Sequence, residues 1–250
     1  MSRAYRVVDV FDSIQGEGAR AGTRAAFVRF AGCNQWDGLE QHRSRGPGAC
    51  AAWCDTYFVA NAVPLTVEQL AADLDALWPR RPGLVRSVVL TGGEPALQLD
   101  DGLVRTLHDD GWFVAVETNG TVANPALAAV DHLCVSPKLG SRLEVRQADE
   151  LKIVVPGRVP SRSPSSSIEV LAPLLIAART RGECQLVVAQ DGWDVDALNQ
   201  IADLGSWGRM FLAPQDGPDR EANLQRALEL VRAAPRFALS LQLHKILGLP

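Results

Sequence analysis

The sequence has no long apolar run, and this absence limits where the protein can act. The longest apolar stretch, Leu171 to Ala178, is interrupted by Pro173. A transmembrane helix needs roughly 20 apolar residues, so this stretch is far too short. The N-terminal residues also lack the apolar segment and small-residue cleavage site of a secretory signal. We therefore expect a cytoplasmic protein that has no membrane partner.

Clustered positive charge is absent as well. The formal net charge is −4 and the chain contains no sustained run of Lys or Arg, so the sequence does not favour direct binding to nucleic acid. Apolar residues make up 47% and charged residues 22%, which is typical of a globular protein with a buried core. We find no internal repeat. A small molecule is the ligand class that this composition favours.

Cysteine is scarce, and its five positions argue against disulfide bonds, because the number is odd and the expected compartment is reducing. Cys33, Cys50 and Cys54 share one N-terminal segment, residues 33–54. Three thiolates without an evident fourth ligand suit an iron–sulfur cluster that keeps one iron for a non-protein ligand.

Two other interpretations concern the cysteines. A structural zinc site completed by His42 or Asp55 is an alternative for the 33–54 segment, since zinc prefers four protein ligands. Cys134 and Cys184 fall in or at the start of apolar runs and are predicted to be buried small hydrophobic residues.

Short β-rich runs alternate with helical patterns, which predicts βα units and a largely parallel sheet. The predicted strands are Arg6–Phe11, Ala26–Phe30, Arg86–Leu90, Phe113–Glu117, His132–Val135, Leu151–Val155, Gln185–Val188, Met210–Leu212 and Ala238–Gln242. The predicted helices are Thr66–Leu77, Asp101–Asp110, Ser167–Arg181, Val195–Leu204 and Arg220–Ala234. Residues 156 to about 204 carry no chemical motif and are expected to be peripheral.

Compact polar motifs follow five of the predicted strands. They are Thr91-Gly92-Gly93-Glu94-Pro95, Glu117-Thr118-Asn119-Gly120, Ser136-Pro137-Lys138, Ala213-Pro214-Gln215-Asp216 and Gln242-Leu243-His244-Lys245. One such motif alone would be more simply a turn. Parallel strands collect their end motifs on one face, as at the mouth of a β/α barrel. Five motifs together therefore predict a site.

In this order, and with the cysteines, the motifs resemble those of the 7-carboxy-7-deazaguanine synthase family of radical S-adenosylmethionine enzymes. Further matching stretches are Ser13-Ile14-Gln15-Gly16-Glu17-Gly18, Phe30-Ala31-Gly32-Cys33-Asn34, Trp53-Cys54-Asp55-Thr56 and Glu150-Leu151-Lys152. The resemblance covers nearly the whole chain. It implies one domain over residues 1–250, an α/β fold with a partial, TIM-like β/α barrel, a cluster-binding loop at 33–54, and a homodimer.

The resemblance also implies an activity, the conversion of 6-carboxy-5,6,7,8-tetrahydropterin to 7-carboxy-7-deazaguanine. This lyase reaction contracts the pterin ring, releases ammonia and serves deazapurine and queuosine biosynthesis. The implied cofactors are a 4Fe–4S cluster, S-adenosylmethionine and Mg²⁺, and the implied electron donor resembles flavodoxin or ferredoxin. Two alternatives stay open, a radical enzyme that activates a glycyl-radical partner protein and a non-catalytic zinc protein.

Roles for individual residues follow from the same resemblance. The implied metal ligands are Cys33, Cys50 and Cys54 for the cluster and Thr56 for magnesium. The implied cofactor contacts are Trp53, Cys54, Asp55, Gly92, Gly93, Glu94, Ser136, Pro137, Lys138, Ala213, Pro214, Gln215 and Asp216. The implied substrate contacts are Ile14, Gln15, Gly16, Glu17, Arg29, Thr91, His244 and Pro250, of which Glu17, Arg29 and His244 are also expected to be catalytic.

The cysteine spacing departs from the usual pattern of the superfamily. Most radical S-adenosylmethionine enzymes have C-x3-C-x2-C, whereas this chain has C-x16-C-x3-C. In a helix, the spacing between Cys50 and Cys54 would place both thiolates on one face. A bulged loop is the alternative.

Overall fold

The computed structural model describes residues 3–45, 54–59, 61–138, 141–154, 182–188, 194–204 and 207–250. Its strands are β1 (Ala4–Ile14), β2 (Arg24–Phe30), β3 (Val63–Thr66), β4 (Arg86–Gly92), β5 (Trp112–Thr118), β6 (His132–Val135), β7 (Glu150–Val154), β8 (Glu183–Val188), β9 (Met210–Pro214) and β10 (Phe237–Leu239). Its α-helices are α1 (Val67–Leu77), α2 (Asp101–Asp109), α3 (Val195–Asp203), α4 (Arg220–Ala233) and α5 (Leu243–Ile246).

All ten strands belong to one sheet, in the order β10-β9-β8-β7-β6-β5-β4-β2-β1-β3. From β10 to β2 every neighbouring pair is parallel, whereas β1 runs antiparallel to both β2 and β3. The short connection over residues 15–23 explains the antiparallel pair β1–β2, since a parallel partner needs a longer crossover. The expected largely parallel sheet is confirmed.

Each predicted strand overlaps an observed one, although several ends differ. β10 is shorter than predicted and ends at Leu239. β3 was not predicted, because Pro64 argues against a central strand; it lies at the edge of the sheet, where proline is tolerated. A capping box is present at the start of α1, with Thr66 as N-cap and Gln69 as its partner. The predicted helix 167–181 lies outside the described residues.

The two faces of the sheet differ. Alternate side chains of each strand, such as Val88 and Leu90, pack with the helices into the main core. On the opposite, inner face a small apolar cluster contains Ala25, Val89 and Ala115. Within the described residues, none of the helices is both long and apolar enough to cross a bilayer.

The sheet is open but strongly curved. Its pairing order ends at β10 and β3, so hydrogen bonds between strands do not close it among the described residues. Nevertheless Glu17, just after β1, forms an ion pair with Lys152 on β7, although four strands lie between β1 and β7. The Gly18 N–H also donates to Ser240 Oγ at 3.0 Å, after β10. The curvature therefore brings the two ends of the sheet together around the inner face.

Candidate functional site

A cavity of about 600 Å³ lies at the carboxyl ends of the parallel strands. This volume is typical of small-molecule sites. The strand-end residues that line it are Thr91, Gly92, Gly93, Glu117, Thr118, Asn119, Ser136, Lys138, Pro214, Gln215, Asp216 and Gln242. The predicted convergence of five strand-end motifs is thus confirmed.

Two thiols share one wall of this cavity. Cys33 and Cys54 both line it, and both pack against Trp36 and Phe58, whose rings meet edge to face at 5.8 Å. The Gln35 N–H donates to Cys33 Sγ at 3.4 Å. Burial raises the pKa of the Cys33 thiol, and this N–H partly offsets the increase. Thiols that face a cavity and accept a main-chain N–H suit the ligation of an iron–sulfur cluster.

The other candidate metal ligands are placed differently. Cys50 and Trp53 lie outside the described residues. Across the described ranges, no three His, Cys, Asp or Glu side chains form a metal site. Of the two residues that could complete a zinc site, His42 is paired with Asp37 and does not line the cavity, whereas Asp55 lines it next to Cys54. Neither Cys134 nor Cys184 forms a disulfide, and both are buried as predicted.

The glycines of the motif after β4 are explained by close backbone packing. Gly92 has φ of +139°, and a Cβ there would collide with the main chain of Phe30. A Cβ at Gly93 would collide with the carbonyl oxygen of Gly32. Close approach of a cofactor is therefore not needed to account for these glycines. Their backbones nonetheless form part of the cavity wall.

Glu94 follows these glycines but its carboxylate points into the protein. The side chain is fully buried and accepts hydrogen bonds from Thr118 Oγ1 at 2.6 Å, Asn119 N at 2.7 Å and Ala96 N at 2.9 Å. Burial raises the pKa of Glu94 despite these donors. The carboxylate joins the end of β4 to the end of β5. A contact between Glu94 and a cofactor stays a prediction. Because the carboxylate is already hydrogen-bonded inside the protein, the main-chain atoms of Glu94 would have to make this contact.

The remaining predicted cofactor residues form the rim. Ser136 and Lys138 line the cavity, and Lys138 Nζ donates to Ser136 Oγ at 2.8 Å. Pro137 and Ala213 lie beside lining residues without lining the cavity themselves. Asp55 and Thr56 line it next to Cys54.

An ionic bridge connects three segments of this rim. Lys245 Nζ donates to Asp55 Oδ2 at 2.9 Å and to Asp216 Oδ2 at 2.7 Å. The bridge joins the cysteine-containing segment, the loop after β9 and the C-terminal tail. These contacts lower the pKa of Asp216 below its ordinary value.

Charged side chains form the floor of the cavity. Glu17, Glu117, Cys134 and Lys152 line both this cavity and a small one of about 10 Å³ beneath it. Burial alone would raise the pKa of Glu17, but the ammonium of Lys152, together with a hydrogen bond from Gln242 and the nearby His244, outweighs it and the net pKa is lowered. Correspondingly, the carboxylates of Glu17 and Glu117 outweigh burial and raise the pKa of Lys152. Gln15 Nε2 donates to Glu117 Oε1 at 2.9 Å.

Besides Gly16, four predicted substrate residues line neither cavity. Arg29 is level with Thr91 across the β2–β4 pair, and its guanidinium carbon lies 5.5 Å from the centroid of the Phe11 ring. Ile14 ends β1. The tail brings the other two to the same region: the ring of His244 packs against Gly16, and the carbonyl of Pro250 accepts a hydrogen bond from Ser13 Oγ at 2.8 Å.

Several lining residues received no role from the sequence. They include Gln35, Glu117, Asn119, Lys152 and Gln242. Glu117 and Asn119 belong to a recognised strand-end motif, so their position could have identified them. Lys152 interrupts an apolar strand of a parallel sheet, where charged residues are uncommon. That interruption was the sequence signal that could have identified Lys152 as a residue of the site.

Comparisons with known proteins identify close relatives. No protein-family model matches the chain. It is 38% identical over 253 residues to the 7-carboxy-7-deazaguanine synthase of Caulobacter vibrioides, covering 98% of this chain and 99% of that protein. It is 40% identical over 256 residues to the protein of the same name from Nitratidesulfovibrio vulgaris, with 98% and 99% covered. For the namesake from Bordetella pertussis the identity is 36%, with 99% and 100% covered.

One solved structure extends this likeness to three dimensions. The crystal structure of QueE from Escherichia coli matches with a TM-score of 0.60 at 24% identity, covering 96% of this chain and 95% of that chain. At this identity the match shows a shared fold. The mixed α/β architecture with its ten-stranded sheet is therefore similar to that of QueE.

Proposed function

The chain belongs to the 7-carboxy-7-deazaguanine synthase family, and on this premise we propose that it converts 6-carboxy-5,6,7,8-tetrahydropterin to 7-carboxy-7-deazaguanine by radical chemistry. One observation supports this activity above all others: a single cavity has the thiols Cys33 and Cys54 on one wall and the carboxylates Glu17 and Glu117 at its floor. The thiols can ligate an iron–sulfur cluster, and the carboxylates can accept hydrogen bonds from the N–H donors of a pterin.

The cofactor end of the cavity is supported by its donor set. Cys33 and Cys54, together with Cys50, would hold a 4Fe–4S cluster. Lys138, Gln215 and the backbones of Gly92 and Gly93 would hold S-adenosylmethionine through hydrogen bonds. When bound, this cofactor supplies a carbon radical after an electron from the cluster breaks its sulfonium bond. The other expected contacts are those of Trp53, Asp55, Glu94, Ser136, Pro137, Ala213, Pro214 and Asp216.

At the floor, the residues of this chain would bind and orient the pterin. The carboxylate of Glu17 accepts N–H donors, with Gln15 and Gly16 beside it. Arg29 offers a planar pair of donors that suits the carboxylate of the substrate. Ile14, Thr91 and the terminal carboxylate of Pro250 complete the proposed contacts.

Proton handling is proposed for His244. Burial lowers the pKa of this imidazole, and the nearby carboxylate of Glu17 offsets only part of that effect. The ring is therefore neutral at pH 7 and can accept a proton from the substrate. This property supports the proposal of Glu17, Arg29 and His244 as the catalytic group.

The finer architecture and partners are part of the proposal. The curved, open sheet supports a partial β/α barrel of the radical type within one domain over residues 1–250. The expectation that segment 156–204 is peripheral is wrong for β8, which lies within the sheet and whose Gln185 donates to Glu17. The hydroxyl of Thr56 at the cavity supports a Mg²⁺ ligand, since hard ions prefer oxygen. Exposed Ile246 and Leu247 would be covered by a homodimer. A cytoplasmic flavodoxin- or ferredoxin-like protein would supply electrons for a step of queuosine or related deazapurine synthesis.

The decisive experiment is anaerobic reconstitution followed by a turnover assay. We expect about four irons and four sulfides per chain. With S-adenosylmethionine, Mg²⁺ and a reductant, the protein should convert the tetrahydropterin to carboxydeazaguanine and ammonia, both quantified by mass spectrometry and a coupled assay. The Cys33→Ala variant, treated identically, is the matched control.

Each alternative predicts a different outcome. A colourless protein with stoichiometric zinc would contradict the radical activity and favour the zinc protein. A brown protein that cleaves S-adenosylmethionine but leaves the pterin unchanged would contradict the proposed substrate. That second result would favour an enzyme that activates a partner protein.

A further inference from the structure

Lysine is rare in this chain, and its positions are concentrated at the cavity. Three of the 25 Lys and Arg residues are lysines. Lys138 and Lys152 line the cavity, and Lys245 bridges two loops of its rim. Lysine carries a compact ammonium, whereas arginine carries a broad planar fork, so the two are not interchangeable. Lys152 is the lysine that lies within the sheet.

The side chain of Lys152 lies among buried carboxylates. Its neighbours Leu151 and Ile153 belong to the helix-facing core, so alternation along β7 directs Lys152 to the inner face. There its Nζ pairs with Glu17, and Glu117 lines the same two cavities. The Glu17 side chain is 8% exposed and that of Lys152 is 23% exposed. A carboxylate as buried as Glu17 would be neutralised by protonation without a cation.

We propose that Lys152 is a positioning residue that keeps Glu17 ionised, and aimed at the N–H donors of the pterin. The inference rests on the proposed function and adds a residue to it. A protonated Glu17 would keep only a neutral C=O acceptor and would turn its other oxygen into an O–H donor, so it would accept the N–H donors of the pterin through one oxygen and without a charge. The cation therefore determines how strongly the floor binds the donor edge of the substrate.

The groups around this pair leave Lys152 as the dominant cation. Those that face it from the surrounding elements are Arg20, Asp55, Glu117, His132, Cys134, Glu150, Gln185, Gln242 and His244. Gln185 Nε2 donates to Glu17 Oε2 at 3.4 Å but carries no charge. The carboxylates among these groups favour protonation of Glu17, and His244 is neutral at pH 7. The lowered pKa of Glu17 agrees with Lys152 as the largest of the interactions that oppose burial, ahead of a hydrogen bond from Gln242.

A double-mutant cycle tests this role. We would compare the wild type, Lys152→Met, Glu17→Gln and the variant with both changes, after cluster reconstitution. The measurements are anaerobic calorimetry of 6-carboxy-5,6,7,8-tetrahydropterin binding without a reductant, between about pH 6 and pH 8, and urea unfolding. Arg236→Met, which removes the cation of an exposed ion pair with Asp203, is the control for lost charge and should leave binding unchanged.

The expected result is specific to an electrostatic role. Lys152→Met should weaken binding about 10- to 100-fold. Its affinity should fall further as the pH is lowered, because Glu17 without its cation has a raised pKa. The wild type should show no such dependence. In the Glu17→Gln background, Lys152→Met should change affinity by less than about threefold, because the carboxylate that Lys152 keeps ionised is then absent.

Other outcomes would overturn the inference. Equal losses in both backgrounds would mean that Lys152 contacts the substrate itself. A loss without pH dependence, accompanied by weaker folding, would mean a purely structural role. If Lys152→Met does not fold, the doubly changed variant, which removes the charge of Glu17 together with the cation that pairs with it, still decides the question by comparison with Glu17→Gln. A wild type that neither binds nor converts the pterin would instead contradict the proposed function.

Discussion

The helix-facing side of the sheet and its inner side are built by the same strands but differ in chemistry. On β8, Cys184, Leu186 and Val188 belong to the apolar core, whereas Gln185 between them faces the polar floor. On β7, Lys152 stands in the same way between two core residues. Parallel strands covered on both faces are normally apolar throughout. A polar residue that interrupts them therefore marks the face that carries the site.

This difference indicates a separation of tasks. The helix-facing core contributes most of the stabilisation through buried apolar area. The inner face contributes less apolar burial and holds charged groups that must be compensated, such as Glu17 by Lys152. Substitutions on the two faces should therefore affect different measurements. Four predictions, from the largest effect to the smallest, test this separation.

The largest effect is expected at the cysteine wall. Cys33→Ala should reduce cluster iron from about four per chain to background, because a ligand of the cluster is lost. The free energy of unfolding of the iron-free protein should change by no more than about 1 kcal/mol. Iron and sulfide analysis after anaerobic reconstitution measures the first quantity, and urea unfolding measures the second. Unchanged iron content would remove Cys33 from the proposed ligands.

The second prediction concerns adjacent residues of β8. Leu186→Ala should lower the free energy of unfolding by about 2–5 kcal/mol, since it leaves a cavity in a fully buried position. Gln185→Leu should lower it far less, because it removes only the 3.4 Å hydrogen bond from Nε2 to Glu17, and among the described residues Gln185 Oε1 has no hydrogen-bond partner to lose. Urea unfolding of both variants measures the difference. Similar losses in both would abolish the distinction between the two faces.

Arg29 tests the inner face directly. Arg29→Ala should weaken pterin binding about 10- to 100-fold, the effect of losing a charge-assisted pair of hydrogen bonds. Binding of S-adenosylmethionine should stay within about twofold. Calorimetry with each ligand measures both affinities. Parallel losses would show that Arg29 supports the structure of the whole cavity.

The smallest effect is expected at the rim. Lys245→Met removes two ion pairs that join the tail to Asp55 and Asp216. Partly exposed pairs contribute at most about 1 kcal/mol each, so affinity for S-adenosylmethionine should fall only a few-fold. Added salt should weaken binding in the wild type more than in the variant, because it screens the same contacts. Equal salt sensitivity would contradict this role of the bridge.

Much of the fold was predictable from the pattern of the chain, and the misses have physical causes. The parallel strands were recognised because their apolar runs are short and end in turn residues. β3 was missed because Pro64 is acceptable only at an edge, and the edge is defined by pairing with β1. For the site, the end motifs identified the rim. Glu94 shows what the end motifs could not predict. Its sequence position does not reveal that its carboxylate is buried and already accepts hydrogen bonds from Thr118 and Asn119.

By itself, the sequence determined the βα order of the elements, the location of the thiols and the family, because these depend on local pattern and motif identity. Only the tertiary structure decided that Glu17 and Lys152 form a pair, since the curvature of the sheet brings together residues that are 135 positions apart. It also decided which charges face the cavity and which are buried elsewhere. Ionisation depends on the nearest charges in space, and those neighbours come from distant parts of the chain.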